Sequence, residues 1–155
     1  SGKFETIVQK CTELGVFAVV PVVSERCVVV PGKDFQKKIE RYQRVALEAA
    51  KQSRRAMVPE VLPLMKLSDI DPCAFGLFLV AYEEERRVSL KSALRQIEQP
   101  ESVALVIGPE GGLDAAEVGR LIKKGAVPVS LGKRILRTET AGMAMLAQIQ
   151  YEVEP

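Results

Sequence analysis

The sequence predicts an α/β fold on a mainly parallel sheet, and three observations carry that prediction. First, apolar β-branched runs alternate with helical patterns along the whole chain, as they do where helices join parallel strands. Second, Phe75–Ala81 and Val103–Ile107 are apolar without alternation, the pattern of strands buried on both faces. Third, two late stretches share the order strand, Gly-bearing turn, helix. They are Ile107-Gly108-Pro109-Glu110-Gly111-Gly112 and Leu131-Gly132-Lys133-Arg134-Ile135-Leu136-Arg137-Thr138-Glu139-Thr140-Ala141. Ligands of open α/β sheets lie in the crevice at the carboxyl ends of the strands, so these two turns are expected to face one crevice.

The elements follow in order. Phe4, Ile7, Val8 and Leu14 fall at helical spacing, and Gly15 stops that helix. Val16–Val23 reads as a buried strand interrupted by Pro21, with Ser24-Glu25-Arg26 at its carboxyl end. That tripeptide is either solvated loop or, at the mouth of the crevice, a functional one. Pro31-Gly32 makes a turn. Asp34 caps a long helix to about Arg55, whose core face is Phe35, Ile39, Tyr42, Ala46, Ala49 and Ala50. An adjoining face carries Lys37, Arg41, Arg44, Lys51 and Arg55, with Glu48 among them. Such a stripe is a solvated helix face or a phosphate-contact surface, and Arg26, Arg41, Arg54 and Arg55 are the candidate RNA contacts.

The two prolines within Met57–Leu64 make it a short strand or an edge segment. Leu67–Pro72 is a short helix or turn. The strand Phe75–Ala81 runs into the charged loop Tyr82–Arg87, most simply solvated, where Glu83, the charged residue nearest the strand end, is the only one expected to face a ligand. Ser89–Gln99 is an amphipathic helix with Leu90, Ala93, Leu94 and Ile97 inward. After Val103–Ile107, Gly111-Gly112 can take positive φ and let a ligand approach the backbone. Asp114 is placed to cap the next helix, with Glu117 completing a capping box. Val118, Leu121 and Ile122 form that helix's core face, and Gly125 ends it. The final helix is apolar nearly all round: Ala141, Gly142, Met143, Ala144, Met145, Leu146, Ala147, Ile149, Tyr151 and Val153. Such a helix is buried on every side. At a chain end it is most readily covered by a partner subunit, so a homodimer is expected.

Composition narrows the chemistry. The chain has 155 residues, 47% hydrophobic, with a net charge of +2 and a mean hydropathy of +0.07. These values describe one soluble domain whose nucleic-acid affinity must be local. There is no histidine, which removes Ser-His-Asp and Cys-His catalysis, His-ligated zinc and imidazole bases. Cys11, Cys27 and Cys73 are widely spaced and read as reduced, at least half-buried thiols of a cytosolic protein. No apolar run reaches membrane length, and no signal-peptide pattern opens the chain. Ser1-Gly2, without methionine, reads as a leftover of cloning or the start of a piece cut from something longer. Neither the Gly-x-Gly-x-x-Gly fingerprint nor a phosphate-binding Gly-Lys-Ser/Thr loop is present. The late site instead offers apolar walls (Ile107, Leu131, Ile135, Leu136), backbone groups and a few charges (Glu110, Arg137, Glu139). This suits a flat nucleoside more than a polyphosphate.

Gly108-Pro109-Glu110-Gly111-Gly112, with Ser130-Leu131-Gly132 and Ile135-Leu136-Arg137-Thr138-Glu139-Thr140-Ala141, closely resembles the SPOUT methyltransferases, and among them the ribosomal RNA small subunit methyltransferase E family. Glu13-Leu14-Gly15, Ser24-Glu25-Arg26, Glu48-Ala49 and Gln52-Ser53-Arg54 agree with the same pattern, so the resemblance spans essentially the whole chain. It implies a three-layer α/β sandwich with a C-terminal deep trefoil knot, a homodimer, and methylation of uridine N3 in small-subunit ribosomal RNA. The cofactor it implies is S-adenosylmethionine. Its pocket maps onto Leu79, Ala81 and Tyr82; Ile107, Gly108, Pro109, Gly111 and Gly112; and Leu131, Gly132, Ile135, Leu136, Thr140 and Ala141. The family's amino-terminal β-barrel RNA-binding domain has no counterpart here, so residues 1–155 are expected to be the methyltransferase domain alone.

Uridine N3 must lose its proton before it attacks a methyl carbon, and without histidine the acceptor is a carboxylate, water, or no side chain. Arg137 is the candidate to stabilise the uracil anion, and Glu139 or Glu110 to take the proton or orient Arg137. Glu139 reads equally as a residue favoured by the final helix's dipole. No catalytic metal is expected, since the carboxylates are not clustered at ligand spacing. Two rival classes remain: a non-catalytic RNA-binding module of the same fold, and another nucleotide-using α/β enzyme such as an oxidoreductase.

Overall fold

A computed structural model describes residues 2–27 and 32–154. Its helices are α1 (Gly2–Glu13), α2 (Phe35–Gln52), α3 (Leu90–Arg95), α4 (Ala115–Lys123) and α5 (Thr138–Val153). Its strands are β1 (Ala18–Val19), β2 (Val22–Val23), β3 (Glu60–Val61), β4 (Met65–Lys66), β5 (Leu77–Ala81), β6 (Val103–Val106) and β7 (Val127–Val129). The strand pairs are all parallel. β1 pairs with β3, β2 with β4, and β5 lies between β6 and β7. An α/β fold with parallel pairing is thus what forms.

β5 is the centre. Leu79 lies opposite Leu105 on one edge and Val127 on the other, so the strand is hydrogen-bonded on both sides. The two-residue period of a strand sends its side chains to two cores. Phe78 and Val80 pack with Val106, Leu113, Val118 and Leu121, the last two from α4. Leu77 and Leu79 pack with Leu90, Ala93 and Leu94 of α3 and with Met145 and Ile149 of α5. Helices therefore cover both faces. A third core joins Val8 of α1 to Ile39, Tyr42 and Ala46 of α2 and Val61 of β3.

Several elements depart from the sequence reading. Val16–Val23 is not one strand but two short ones either side of Pro21, and β1 and β2 are half-buried, not buried. Proline has no N–H to donate, but its carbonyl still pairs, accepting from the Met65 N–H at 3.2 Å. That contact begins β4, a strand whose two residues carry no pattern of their own. The Pro31-Gly32 turn lies partly outside the described residues. Asp34 is at the α2 N-terminus, but its side chain makes no capping bond. α3 stops at Arg95, short of Gln99, and opens with Ser89 and Ser92 bonding each other's backbone N–H. Asp114 caps α4 through the Ala116 N–H at 3.1 Å, yet Glu117 does not complete the box. It is turned inward, where its carboxylate accepts from the Glu25 N–H at 3.2 Å. Ile122 is 44% exposed, so the inner face of α4 is Val118 and Leu121. Within one chain α5 buries only Ala141, Gly142, Met145 and Ile149, while Tyr151 is 87% exposed.

Arg55, just past α2, donates from Nη1 to the carbonyls of Thr12 at 3.0 Å and Val16 at 2.9 Å, tying α2 to the end of α1. Arg55→Ala removes a charged donor from both carbonyls and leaves that of Thr12 with only the Gly15 N–H at 3.1 Å. It should lower the unfolding free energy by about 2 kcal/mol in urea denaturation, a typical value for hydrogen bonds from a charged group. The three thiols are free, and they differ in burial: Cys11 is buried, Cys27 half-buried and Cys73 exposed, against the expectation that all three lie at least half inside. Burial pushes the Cys11 thiol up to about 11. Under native conditions at neutral pH a disulfide reagent should therefore modify Cys73 first and leave Cys11 intact until the chain unfolds.

Candidate active site

The carboxyl ends of β5, β6 and β7 open into a single cavity of about 830 Å³. Three segments line it. Ala81–Glu84 with Arg86 follow β5; Ile107–Pro109 with Gly111–Leu113 follow β6; Val129–Leu136 with Thr138 and Ala141 close the third side. Arg26, from the loop after β2, completes the wall. A parallel sheet points its strand ends one way, and with β6 and β7 on opposite sides of β5 the chain must cross between them, which leaves a crevice there.

Each segment has a local cause for its shape. In the β6 turn the Gly112 N–H closes onto the Pro109 carbonyl at 2.8 Å, with Gly112 at φ +77°, a conformation a side chain would strain. A Cβ on Gly108 would sit 2.8 Å from Leu113 Cγ, so the strand end also needs glycine for room. In the β7 segment Gly132 takes φ +112°, and its N–H donates to Ser130 Oγ at 3.2 Å. Thr138 Oγ1 donates to the Gly108 carbonyl at 3.1 Å and so joins the two glycine turns directly. After β5, Glu85 accepts from the backbone N–H groups of Arg87 at 2.7 Å and Val88 at 3.0 Å, folding the charged loop back on itself. Those two amides hold its carboxyl below the usual range.

Of the residues the sequence nominated for a cofactor, twelve line the cavity: Ala81, Tyr82, Ile107, Gly108, Pro109, Gly111, Gly112, Leu131, Gly132, Ile135, Leu136 and Ala141. Leu79 does not; it is fully buried in the core between β5, α3 and α5. Thr140 is exposed and outside the lining. Ile135 is 79% exposed although apolar, an uncovered hydrophobic side chain on the cavity lining. Lys133, Arg134 and Ser130 also line the cavity. All three stand in or beside the second motif, Ser130 just before Leu131 and Lys133-Arg134 between Gly132 and Ile135, with no pattern of their own to mark them. Arg26, Arg86, Lys133 and Arg134 line it together with Glu83 and Glu84, a net cationic lining suited to a ligand bearing a carboxylate or phosphate.

The three residues nominated for catalysis are not gathered in that cavity. Glu110 and Glu139 line a smaller one of about 300 Å³ beside α1, which shares Ile107, Gly108, Pro109, Leu113 and Thr138 with the first. Glu110 pairs with Lys3 at 3.3 Å. Its own backbone N–H and then that ammonium hold its carboxyl below the usual range, making it a weak proton acceptor. Glu139 lies in the first turn of α5, the place the helix dipole favours for a carboxylate. Arg137 is the exposed residue that precedes that helix, with an extended backbone and no side-chain capping bond.

The nominated RNA contacts have distinct surroundings. Arg26 Nη1 donates to the Gly111 carbonyl at 3.4 Å, and Nη2 lies 3.7 Å from Asp114. Arg41 pairs with Glu5 at 2.8 Å. Arg54 is exposed at φ +60°. Arg55 has the carbonyl contacts described above. Two substitutions test the site's architecture. Gly112→Ala places a side chain at positive φ and should cost roughly 1–2 kcal/mol of stability. Thr138→Val, isosteric but without the bond to Gly108, should cost about 1 kcal/mol, with both read from thermal unfolding.

Comparison with known proteins fits this geometry. Over 98% of its length the chain is 42% identical to ribosomal RNA small subunit methyltransferase E of Bacillus subtilis. Over 97% it is 40% identical to the protein of the same name from Synechocystis. A ribosomal RNA small subunit methyltransferase E from Neisseria gonorrhoeae, solved bound to S-adenosyl methionine, superposes with a TM-score of 0.81 at 34% identity over 97% of this chain. The chain spans 62% of the Bacillus protein, 50% of the Synechocystis protein and 61% of the Neisseria chain. A family model for an RNA methyltransferase domain matches residues 1–150, and with the homology running along nearly its whole length, the chain belongs to the RNA methyltransferase domain family.

Proposed function

We propose that this chain is the catalytic domain of an S-adenosylmethionine-dependent enzyme that methylates N3 of a uridine in small-subunit ribosomal RNA, in the cytoplasm. The observation that carries the reading is the single cavity where three strand ends converge, in a chain homologous to relatives of that name. The residues present fit the cofactor. Ile107, Leu131, Ile135 and Leu136 supply apolar walls for an adenine ring, the strand ends supply backbone hydrogen-bonding groups, and the cationic side of the lining suits the carboxylate of the methionine part. In its bound state the cofactor supplies an electrophilic methyl carbon; the remaining tasks fall to the chain. The cavity walls orient the donor for an in-line displacement, where alignment accounts for much of the rate. Arg137, exposed at the start of α5, is positioned to meet incoming RNA and stabilise the uracil anion once N3 has lost its proton. Glu139, half-buried beside it, is the candidate proton acceptor; Glu110 is disfavoured because its own backbone N–H and then Lys3 lower its basicity.

The same reading includes the family's trefoil knot, in which the β7–α5 segment passes through a loop of the chain. The Thr138–Gly108 bond is a contact between the segments that would cross. It also includes a homodimer through α5, whose uncovered Tyr151 and Val153 a second subunit would bury. Two measurements test it. The mass in solution should be twice the 17.0 kDa of one chain. Small ribosomal subunits lacking the modification should gain a labelled methyl group on uridine N3, and Arg137→Ala should slow that transfer about 100-fold, the usual cost of losing a charge-stabilising donor. A folded dimer that binds ribosomal RNA but neither binds the cofactor nor transfers a methyl group would favour the RNA-binding module instead.

A further inference from the structure

Glu117 is 5% exposed, on the inner face of α4 beside Val118 and Leu121. A carboxylate there is expensive, and burial pushes its proton affinity up. Its Oε1 has no hydrogen-bond partner among the described residues. Its Oε2 has one, the Glu25 N–H at 3.2 Å. An apolar residue would suit this helix face better in every respect but that contact.

The contact belongs to a series. The Glu25 carboxylate pairs with Arg120, one turn further along α4. Arg26 then lies across the β6 turn, with Nη1 on the Gly111 carbonyl at 3.4 Å and Nη2 near Asp114 at 3.7 Å. A Cβ on Gly111 would lie 3.5 Å from the Arg26 carbonyl, so the backbone of the loop itself is seated on the glycine turn. Within the loop, the Cys27 N–H bonds to the Ser24 carbonyl at 3.2 Å, and Cys27 Sγ accepts from the Ser24 N–H at 3.3 Å. These bonds close the turn locally but do not orient it. The orientation comes from α4, and it leaves the Arg26 guanidinium half-exposed on the wall of the large cavity.

Taking RNA as the acceptor, as in the reading above, we infer that Glu117 is a positioning residue: by holding the Glu25 amide it sets the Ser24–Arg26 turn and presents Arg26 at the cavity mouth to a phosphate of the RNA. Asp114 and the Gly111 carbonyl engage only part of the guanidinium, so donors remain for an anion. Glu117 itself touches no ligand.

The test uses a near-isosteric pair, Glu117→Met and Glu117→Gln. Both are neutral and fill the pocket, but only glutamine keeps an acceptor for the Glu25 amide. Affinity for a single-stranded uridine-rich RNA is measured by fluorescence anisotropy in the presence of S-adenosylhomocysteine, with affinity for S-adenosylhomocysteine measured separately by calorimetry. Arg26→Ala and Glu117→Met should each weaken RNA binding roughly fivefold and flatten the salt dependence by about 0.7 in log–log slope, the loss of one phosphate contact on a single strand. Their double variant should be no weaker than the weaker single, Glu117→Gln should restore most of the affinity, and the melting temperature of Glu117→Met should not fall. A purely structural carboxylate predicts the reverse: additive losses, or RNA affinity unchanged in Glu117→Met. Amide exchange in the wild-type chain gives a check free of any variant, since an unprotected Glu25 N–H overturns the inference. Wild-type protein that binds S-adenosylhomocysteine but no RNA overturns the inference alone; wild-type protein that fails to bind S-adenosylhomocysteine overturns the methyltransferase reading beneath it.

Discussion

A strand hydrogen-bonded along both edges and buried on both faces has only its ends free, and β5 is in that position. Leu79 and Val80 are wholly inaccessible, and β6 and β7 flank the strand in parallel register. All three strands therefore release their chains on the same side. The backbone groups that leave the ladder there must pair with turns, side chains, solvent or a ligand. The glycine turns after β6 and β7 are the local answer, and Thr138 bonds one to the other. The large cavity is the space those turns leave between them. Its position is set by strand pairing, and its polarity by the few side chains the turns carry.

Around that frame charge is used sparingly. The net charge of +2 gives no general pull on a polyanion, so recognition depends on where individual arginines are held. Arg26 is brought to the cavity from outside the sheet, Arg41 is paired with Glu5, and Arg55 serves as a backbone tie between α1 and α2. Three residues that look alike in sequence thus have three surroundings. The same holds for carboxylates: Glu110 is paired with Lys3 at the surface, while Glu117 is buried on α4's inner face.

Much of this was legible in the residues themselves. The unbroken apolar runs mark both β5 and β6, but only β5 is buried on both faces; β6, at the sheet edge, is half-buried except at Val106. The glycines of both turns marked the cavity, since Gly112 and Gly132 take positive φ and Gly108 has no room for a side chain. The less legible parts have physical reasons. β4 exists because Pro21 offers a carbonyl to Met65, a contact between segments that no local pattern announces. Glu117 matched a capping box by spacing, but its partner is an amide 92 positions away. Spacing along a helix cannot register such a competitor. Leu79 shares its strand face with Ala81, which lines the cavity, but sits one pair further from the strand end and is enclosed by α3 and α5; Thr140 lies on an exposed position of α5. The all-apolar pattern of α5 predicts burial on every side. Within the described residues it is fully buried at Ala141, Gly142, Met145 and Ile149 only, and Tyr151 is exposed.

The cavity at the ends of β5, β6 and β7 is proposed to hold a nucleoside cofactor carrying a sulfur-linked amino acid. Calorimetric titration of the chain with S-adenosylhomocysteine, with NAD and ATP in parallel, tests it most directly. Saturable binding of S-adenosylhomocysteine at one site per chain, with neither NAD nor ATP competing for it, is the result this account predicts. A folded chain that binds none of the three, or that prefers NAD, would contradict it.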